Sequence, residues 1–132
     1  MAEEIDEETL ALARRMFSMA REGSADELAE FIDAGVPPNL TNESGDTLLI
    51  LAAYDKHPPA VRMLLERGAD TTRVNDRGQT ALGAAVFRRS ADAVTALLSK
   101  GADPALGSPS AVEVARFFEL PDMLELLEQQ VR

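Results

Sequence analysis

The sequence predicts an all-α solenoid of stacked helix-turn-helix units joined by short hairpin-like fingers. Three observations lead to this fold class: the chain matches itself at a fixed interval, each copy has helical hydrophobic spacing, and polar, turn-rich stretches separate the copies. Aromatic residues make up only 5% of the 132 residues, and tryptophan is absent. The core must therefore consist of aliphatic residues and methionine, which favours closely packed helices over aromatic-rich strands.

The self-match is clearest when the chain is shifted by 33 residues, because twelve positions are then identical, against about two expected by chance. In the first copy these positions are Asn42, Gly45, Thr47, Leu49, Ala52, Ala60, Val61, Leu64, Leu65, Gly68, Ala69 and Asp70. Weaker matches extend the pattern in both directions, and the downstream interval is three residues shorter. We expect one domain over residues 1–132, with atypical, capping outer units. The expected repeats are approximately 9–40, 41–73, 74–106 and 107–131.

Each unit is predicted to contain two helices and a finger. Thr47 is a good N-cap for a first helix, in which Ala52 allows close approach to neighbouring helices. Pro58 ends that helix and suits the opening turn of a second one. Gly68 suits the left-handed position that ends the second helix, and the polar residues 70–78 suit an extended finger.

Other helix starts follow the same logic. Thr80 and Ser110 are expected to start the first helices of the third and fourth units. Ser24 with Glu27, and Ser110 with Glu113, have the spacing of capping boxes.

Composition argues against several classes of function. The net charge of −10 disfavours binding to nucleic acids and to anionic membranes, both of which require a basic surface. The absence of cysteine excludes disulfides, thiol catalysis and zinc sites with sulfur ligands. The N-terminal residues 1–8 have neither the basic region nor the apolar run of a signal peptide. We expect a cytoplasmic monomer.

Candidate catalytic residues are few. His57 is the only histidine and precedes two prolines, so we expect it to cap a helix rather than to serve in a catalytic triad. No glycine-rich phosphate loop is present. Asp70 and Asp103 are expected to form turns. The acidic side chains near the N-terminus could hold a cation, but we favour their complementing the dipole of a helix that starts near Thr9. These acids are Glu3, Glu4, Asp6, Glu7 and Glu8. We expect that the protein is not an enzyme and that it binds neither a cofactor nor a metal.

The repeated segments resemble the ankyrin-repeat family, whose 33-residue unit carries a T-P-L-H-x-A signature. Residues 45–53 read Gly-Asp-Thr-Leu-Leu-Ile-Leu-Ala-Ala, and residues 78–85 read Gly-Gln-Thr-Ala-Leu-Gly-Ala-Ala. The block Leu-Leu-x-x-Gly-Ala-Asp occurs at 64–70 and again at 97–103. The signature proline and histidine are replaced, the histidine by isoleucine and glycine. Because that histidine ties neighbouring loops together in the family, we expect less rigid loops here.

The resemblance implies non-enzymatic protein binding through the fingertips and a concave groove formed by the first helices. The groove positions that the family pattern assigns are Arg21, Glu22, Tyr54, Asp55, Phe87, Arg88, Phe117 and Phe118. Tyr54, Phe87 and Phe117 would form an aromatic ladder across three repeats. Exposed aromatics are preferred interface anchors, although these could equally pack against neighbouring repeats. For Phe117 and Phe118 packing is the favoured alternative, because the last repeat needs apolar cover.

Polar fingertip residues are expected to rim the groove, with simple solvation as the alternative for each. They are Glu43, Ser44, Asp46, Asp76, Arg77 and Gln79. The function implied is a protein–protein interaction module with an unidentified protein partner. The alternatives are a regulator that acts in trans on a linked enzyme, and a small-ligand binder or enzyme that uses the groove. Convergent polar groups in a deep pocket would favour the last of these.

Overall fold

The computed structural model describes residues 6–129, which form two layers of helices. The inner layer consists of α1 (Glu7–Glu22), α3 (Leu48–Tyr54), α5 (Ala81–Phe87) and α7 (Ala111–Phe117). The outer layer consists of α2 (Ala25–Asp33), α4 (Pro58–Glu66), α6 (Ala91–Ser99) and α8 (Pro121–Gln129). Each helix contacts the next helix of its own layer, and each inner helix contacts the outer helix that follows it. The predicted all-α solenoid is therefore confirmed.

Hydroxyl side chains start three of the inner helices, as predicted. The Thr47 hydroxyl accepts a 3.0 Å hydrogen bond from the Ile50 amide, and Thr80 does the same for the Gly83 amide. Ser110 forms a complete capping box with Glu113. The second predicted capping box is wrong: α2 does start after Ser24, but the Ser24 side chain makes no capping hydrogen bond. That helix therefore lacks the stabilisation that a side-chain cap supplies.

The N-terminal acids that the structure describes lie at the start of α1, where one of them is the N-cap. The Asp6 carboxylate accepts a 2.8 Å hydrogen bond from the Thr9 amide, and Glu7 and Glu8 lie in the first turn of α1. The hydrogen bonds from Thr9 lower the pKa of Asp6. Glu3, Glu4 and most of the stretch considered for a signal peptide lie outside the described residues, as does residue 131, the predicted end of the last unit.

The turns within the later helix pairs use left-handed residues that are not glycine. Lys56, Arg89 and Glu119 adopt φ values of 60°, 57° and 55°, a region that costs energy for residues with a Cβ. Gly23 occupies the turn of the first pair at φ 79°. A Cβ there would lie 2.5 Å from Nδ1 of His57, so the first pair requires glycine for steric as well as conformational reasons.

A continuous aliphatic core lies between the two layers. Ala52 and Ala85 are fully buried, and their small side chains allow the inner helices to approach closely. Leu64 and Leu97 are fully buried at equivalent positions of α4 and α6. The 33-residue columns of identical apolar residues are therefore core columns, which explains why they repeat. Within residues 6–129, no helix is both long enough and apolar enough to cross a membrane.

An ion pair joins the first two outer helices at their C-terminal ends. The Arg67 guanidinium donates two hydrogen bonds to the Asp33 carboxylate, at 2.9 Å and 3.2 Å. These hydrogen bonds hold the pKa of Asp33 below its ordinary value and raise that of Arg67. Both side chains are partly exposed, so the contribution to stability is screened by solvent.

Candidate functional site

The first finger (residues 41–47), the second (74–80) and the third (107–110) connect consecutive units. Equivalent asparagines organise the first two. The Asn42 side-chain oxygen accepts from the backbone amides of Ser44 and Asp46, at 2.9 Å and 3.0 Å. The Asn75 side-chain oxygen accepts in the same way from the amides of Arg77 and Gln79, both at 2.9 Å. Each asparagine therefore fixes its own turn, as Asx residues commonly do. Their identity 33 residues apart is the sequence signal for this shared role, which residue type alone does not reveal.

Neighbouring fingers are tied together by a buried polar contact. The Asn75 side-chain nitrogen donates to the Asp46 carboxylate at 2.7 Å and to the Gln79 side-chain oxygen at 2.9 Å. The Asp76 amide donates to the Ser44 carbonyl at 3.0 Å. Asp46 and Asn75 are each only 6% exposed. These contacts tie the two fingers together without the signature histidine, and the lower rigidity expected of the loops stays a prediction.

The predicted polar rim is only partly exposed. Asp46 is buried, because its carboxylate is occupied by Asn75, so its expected place on the rim is wrong. Gln79 is half-buried and bonded to Asn75 through both its backbone and its side chain. The remaining predicted rim residues are exposed to solvent. They are Glu43, Ser44, Asp76 and Arg77.

The third finger approaches the second through a glycine. The Ser108 amide donates to the Gly78 carbonyl at 2.9 Å. Gly78 has φ 80°, and a Cβ at this position would overlap the Ser108 carbonyl oxygen. Close approach of the two fingers therefore depends on the absence of a side chain here.

Aromatic side chains line the C-terminal ends of the inner helices. We call Tyr54, Phe87, Phe118 and Phe117 the aromatic row. The Tyr54 and Phe87 rings are stacked, with centroids 6.1 Å apart and an interplanar angle of 7°. Phe118 meets Phe87 edge-on at 5.3 Å and meets Phe117 at 4.9 Å. The row crosses three consecutive inner helices as a continuous surface.

The order of the row differs from the predicted ladder, because Phe118 and not Phe117 contacts Phe87. Phe118 is the C-cap of α7, and Arg88 is the C-cap of α5. Each C-cap side chain reaches back to the aromatic residue that ends the preceding inner helix, Arg88 to Tyr54 and Phe118 to Phe87. Phe117 is therefore displaced to the end of the row.

The aromatic row is exposed to solvent. Tyr54 is 38% exposed and Phe87 is 42% exposed, so stacking covers part of each ring without burying it. Phe117 is 78% exposed and Phe118 is 47% exposed. The favoured expectation, that Phe117 and Phe118 pack against a neighbouring repeat, is wrong for Phe117. Phe118 does contact Phe87 of the neighbouring repeat but stays half-exposed, and Leu120 and Met123 are buried beside α7 instead. Contiguous exposed aromatics of this kind are uncommon unless they bind something.

Arg88 is fixed beside the row. Its Nη1 donates a 2.8 Å hydrogen bond to the Tyr54 carbonyl, and its Cζ lies 5.6 Å from the centroid of the Tyr54 ring. Asp55, the C-cap of α3, is half-buried nearby in the chain. Arg88 forms no ion pair with any carboxylate of residues 6–129, where the paired arginines are Arg67, Arg73 and Arg77.

Open grooves lie at both ends of the inner layer. One, of about 690 Å³, lies between α1 and the first finger and includes Leu10, Arg14 and Arg21. The other, of about 630 Å³, lies between α7 and the third finger and includes Phe117 and Phe118. Arg21 and Glu22 are exposed. The predicted groove residues therefore differ in character along the stack: α1 contributes charged side chains, and later helices contribute aromatic ones.

The candidate catalytic residues have structural partners. Nε2 of His57 donates a 2.7 Å hydrogen bond to the Arg21 carbonyl at the end of α1. His57 is the N-cap residue of α4, as expected, but its side chain bonds to the end of α1 and makes no capping hydrogen bond to α4. Asp70 and Asp103 each accept from a backbone amide two residues later, which confirms them as turn formers. In the described part of the chain, no cluster of three or more potential metal ligands occurs.

The two layers carry different charge. The outer helices contain nine acidic residues and one basic residue, Arg62. The inner helices contain four of each. The outer helices therefore account for most of the net negative charge of the protein, and the aromatic row lies on the layer whose helices carry equal numbers of acidic and basic residues.

Comparison with known proteins agrees with the geometry. A family model described as ankyrin repeats in three copies matches residues 16–107. A curated Pseudomonas aeruginosa protein that is named for ankyrin repeats is 42% identical over 60 residues. That match covers 46% of this chain and 35% of the relative, so the chain spans about a third of that protein's length. Ankyrin repeats are in general protein–protein interaction modules. With its paired helices, capped inner layer and tied fingers, the chain belongs to the ankyrin-repeat family.

Proposed function

We propose that this chain is a non-catalytic module that holds a partner protein on its inner layer, with the aromatic row as the anchor. The observation that carries the proposal is the exposure of four contiguous aromatic side chains in a protein whose other large apolar side chains are mostly buried. Large aromatic residues beside an arginine are the residue types that contribute most to binding energy at protein interfaces. Asp55 and Arg88 flank the anchor. The exposed fingertip residues Glu43, Ser44, Asp76 and Arg77 form the rim.

A preformed surface suits this role. The stacking of Tyr54 on Phe87 and the edge-on contacts of Phe118 restrain the rings before a partner arrives. The fingers are restrained by Asn42 and Asn75. Because fewer side chains must be ordered on association, less conformational entropy is lost.

Site-directed photo-cross-linking tests the location of the partner. A benzophenone amino acid placed at position 117, which is 78% exposed, should cross-link a partner protein in cells. The same group at position 62, an exposed position on α4, is the matched control and should not. Cross-linking from position 62 alone would move the binding site to the outer layer and contradict the proposal.

Substitution of the anchor provides the quantitative test. Tyr54→Ala and Phe87→Ala should each weaken capture of the cross-linked partner by about 2 kcal/mol or more. Reversing the flanking charges, with Asp55→Arg and Arg88→Glu, should change the association rate and its salt dependence more than stability. Unchanged capture by a folded protein that carries all four substitutions would exclude the aromatic row as the anchor.

We also propose a single monomeric domain of four repeats, although the family description counts three copies. The support for a fourth unit is the equivalent cap at Ser110 and the contacts of α7 and α8 with α5 and α6. Removing residues 107–132 should expose Val94, Leu97 and Leu98, each worth about 1.5–3 kcal/mol of burial. The shortened protein should aggregate or unfold at lower urea. A soluble, monomeric and equally stable product, measured by light scattering and urea unfolding, would contradict the fourth unit.

A further inference from the structure

The arginine beside the aromatic row has hydrogen-bonding capacity that its own protein does not use. A guanidinium has five N–H donors. Within residues 6–129 the Arg88 side chain makes one hydrogen bond, from Nη1 to the Tyr54 carbonyl. Its Cζ also lies over the Tyr54 ring. These two contacts fix the position of the group and leave its other donors for a ligand.

Within residues 6–129, no carboxylate forms an ion pair with Arg88. Asp55 occupies the equivalent C-cap position of the preceding inner helix, yet the guanidinium is bonded to the Tyr54 carbonyl and forms no ion pair with Asp55. A fixed guanidinium with free N–H donors is complementary to a carboxylate, which it can bind through two parallel hydrogen bonds.

The apolar surface next to Arg88 determines which apolar groups the ligand needs and how long it must be. Phe87 precedes Arg88 in the chain, and Phe118 and Phe117 continue the row away from Tyr54. The successive ring centroids are 6.1 Å, 5.3 Å and 4.9 Å apart, so the row is at most about 16 Å long between its end rings. An extended segment covers that distance with about five residues.

The charge of the outer helices affects the side from which an acidic segment can approach the protein. The outer helices carry nine acidic residues and one basic one, so an acidic segment is repelled from that surface. The inner helices are balanced. An acidic segment is therefore repelled less by the inner helices than by the outer helices.

We infer that the aromatic row and Arg88 form one recognition site for a protein segment that carries an acidic side chain beside a large apolar one. The carboxylate accepts hydrogen bonds from the free N–H groups of Arg88, and the apolar side chain packs on Phe87 and Phe118. This inference rests on the proposed function, since it names the chemistry of the partner at the same anchor.

Selection from a random twelve-residue displayed peptide library tests the inference with the folded protein. We expect peptides in which Asp or Glu stands near a large apolar residue. Arg88→Gln should weaken their binding about tenfold or more, the loss expected for a hydrogen bond to a charged group. Arg62→Gln removes the same charge from α4 and should leave binding unchanged. Selection on Arg88→Glu should replace the acidic residue by Lys or Arg.

A second variant keeps the test decisive if Arg88→Gln does not fold. Arg88→Lys retains the positive charge but loses the planar pair of donors, and should weaken binding several-fold. Peptides that require Phe87 but show no acidic preference and tolerate both changes at Arg88 would overturn the inference and leave the proposed function intact. Failure to select any peptide, or peptides insensitive to both Phe87→Ala and Arg88→Gln, would also overturn the inference, whereas the proposed function falls only if position 117 fails to cross-link a partner.

Discussion

The fingers and the aromatic row invert the usual distribution of polar and apolar side chains. In the fingers, Asp46 and Asn75 are polar yet almost completely buried. In the aromatic row, Phe87 and Phe117 are apolar yet 42% and 78% exposed. The buried polar residues have satisfied hydrogen bonds and hold neighbouring units together, whereas the exposed rings contact one another without being enclosed by the core. Residue type alone therefore does not separate the structural residues from the binding ones.

The largest effect is expected where two fingers approach most closely. Gly78→Ala adds a Cβ that overlaps the Ser108 carbonyl oxygen and also strains a residue at φ 80°. We expect a loss of about 2–5 kcal/mol, the sum of left-handed strain and overpacking. Gly68→Ala is the matched control, because Gly68 has φ 88° but open space around its Cβ position. It should cost only about 1–2 kcal/mol in urea unfolding.

Equal losses for the two alanine variants would contradict a specific contact between the second and third fingers. The comparison isolates that contact because the backbone conformation of the two glycines is nearly the same.

The polar contact between the first two fingers should contribute nearly as much to the free energy of unfolding. Asn75→Ala removes the donor to Asp46 and leaves a buried carboxylate with its nearest cation, Arg77, at 4.0 Å. We expect a loss of about 2–4 kcal/mol in the free energy of unfolding. Asn42→Ala should cost about 1–2 kcal/mol, because Asn42 bonds only within its own finger. A larger loss for Asn42→Ala in the same assay would reverse the assigned roles.

Much of the fold could be predicted from the sequence because the repeated residues are those that the fold uses. Thr47, Thr80 and Ser110 were identified as caps from residue type and position alone, and the structure places all three at helix starts. The burial of Asp46 could not be predicted in this way, because it depends on Asn75, which is 29 residues away in the sequence. A polar residue in a turn-rich stretch is usually solvated. Asp46 is buried only because of its tertiary contact with Asn75.

The sequence predicts which aromatic residues form the row, but not the order in which their rings contact one another. The 33-residue period identifies Tyr54 and Phe87 as equivalent, and the three-residue deletion before the last unit still aligns Phe117 with them. The contact made by Phe118 depends on the direction of a C-cap side chain, which sequence spacing does not specify.

Substitutions in the aromatic row should affect stability only modestly. Phe87→Ala should cost about 1–2 kcal/mol, less than the 3–5 kcal/mol of a fully buried aromatic, because it loses half-exposed surface and ring contacts. Phe117→Ala should cost less than about 0.5 kcal/mol. Urea unfolding of both variants measures this. A loss above about 3 kcal/mol for Phe87→Ala would identify the ring as a core residue.

A small effect, limited to acidic pH, is expected at the outer layer. Because Arg67 lowers the pKa of Asp33, the folded state binds a proton at this group less readily than the unfolded state does. The contribution of the Asp33–Arg67 ion pair to the free energy of unfolding is therefore present above the unfolded pKa of about 3.9. It disappears as pH falls through the lower pKa of the folded state. Asp33→Asn should reduce stability slightly at pH 6, and the difference from the unsubstituted protein should vanish near pH 2. A difference that is constant from pH 6 to pH 2 would exclude this linkage.

The separation of structure from binding is tested most directly by measuring both properties for Asn75→Ala and Phe87→Ala. The two quantities are the free energy of unfolding in urea and the affinity for one selected peptide, at a temperature where both variants are folded. We expect Asn75→Ala to lose more stability than affinity, and Phe87→Ala to lose about 2 kcal/mol or more of binding with at most about 2 kcal/mol of stability. Full affinity in Phe87→Ala together with a large loss of stability would show that the row is part of the core, and would contradict the account.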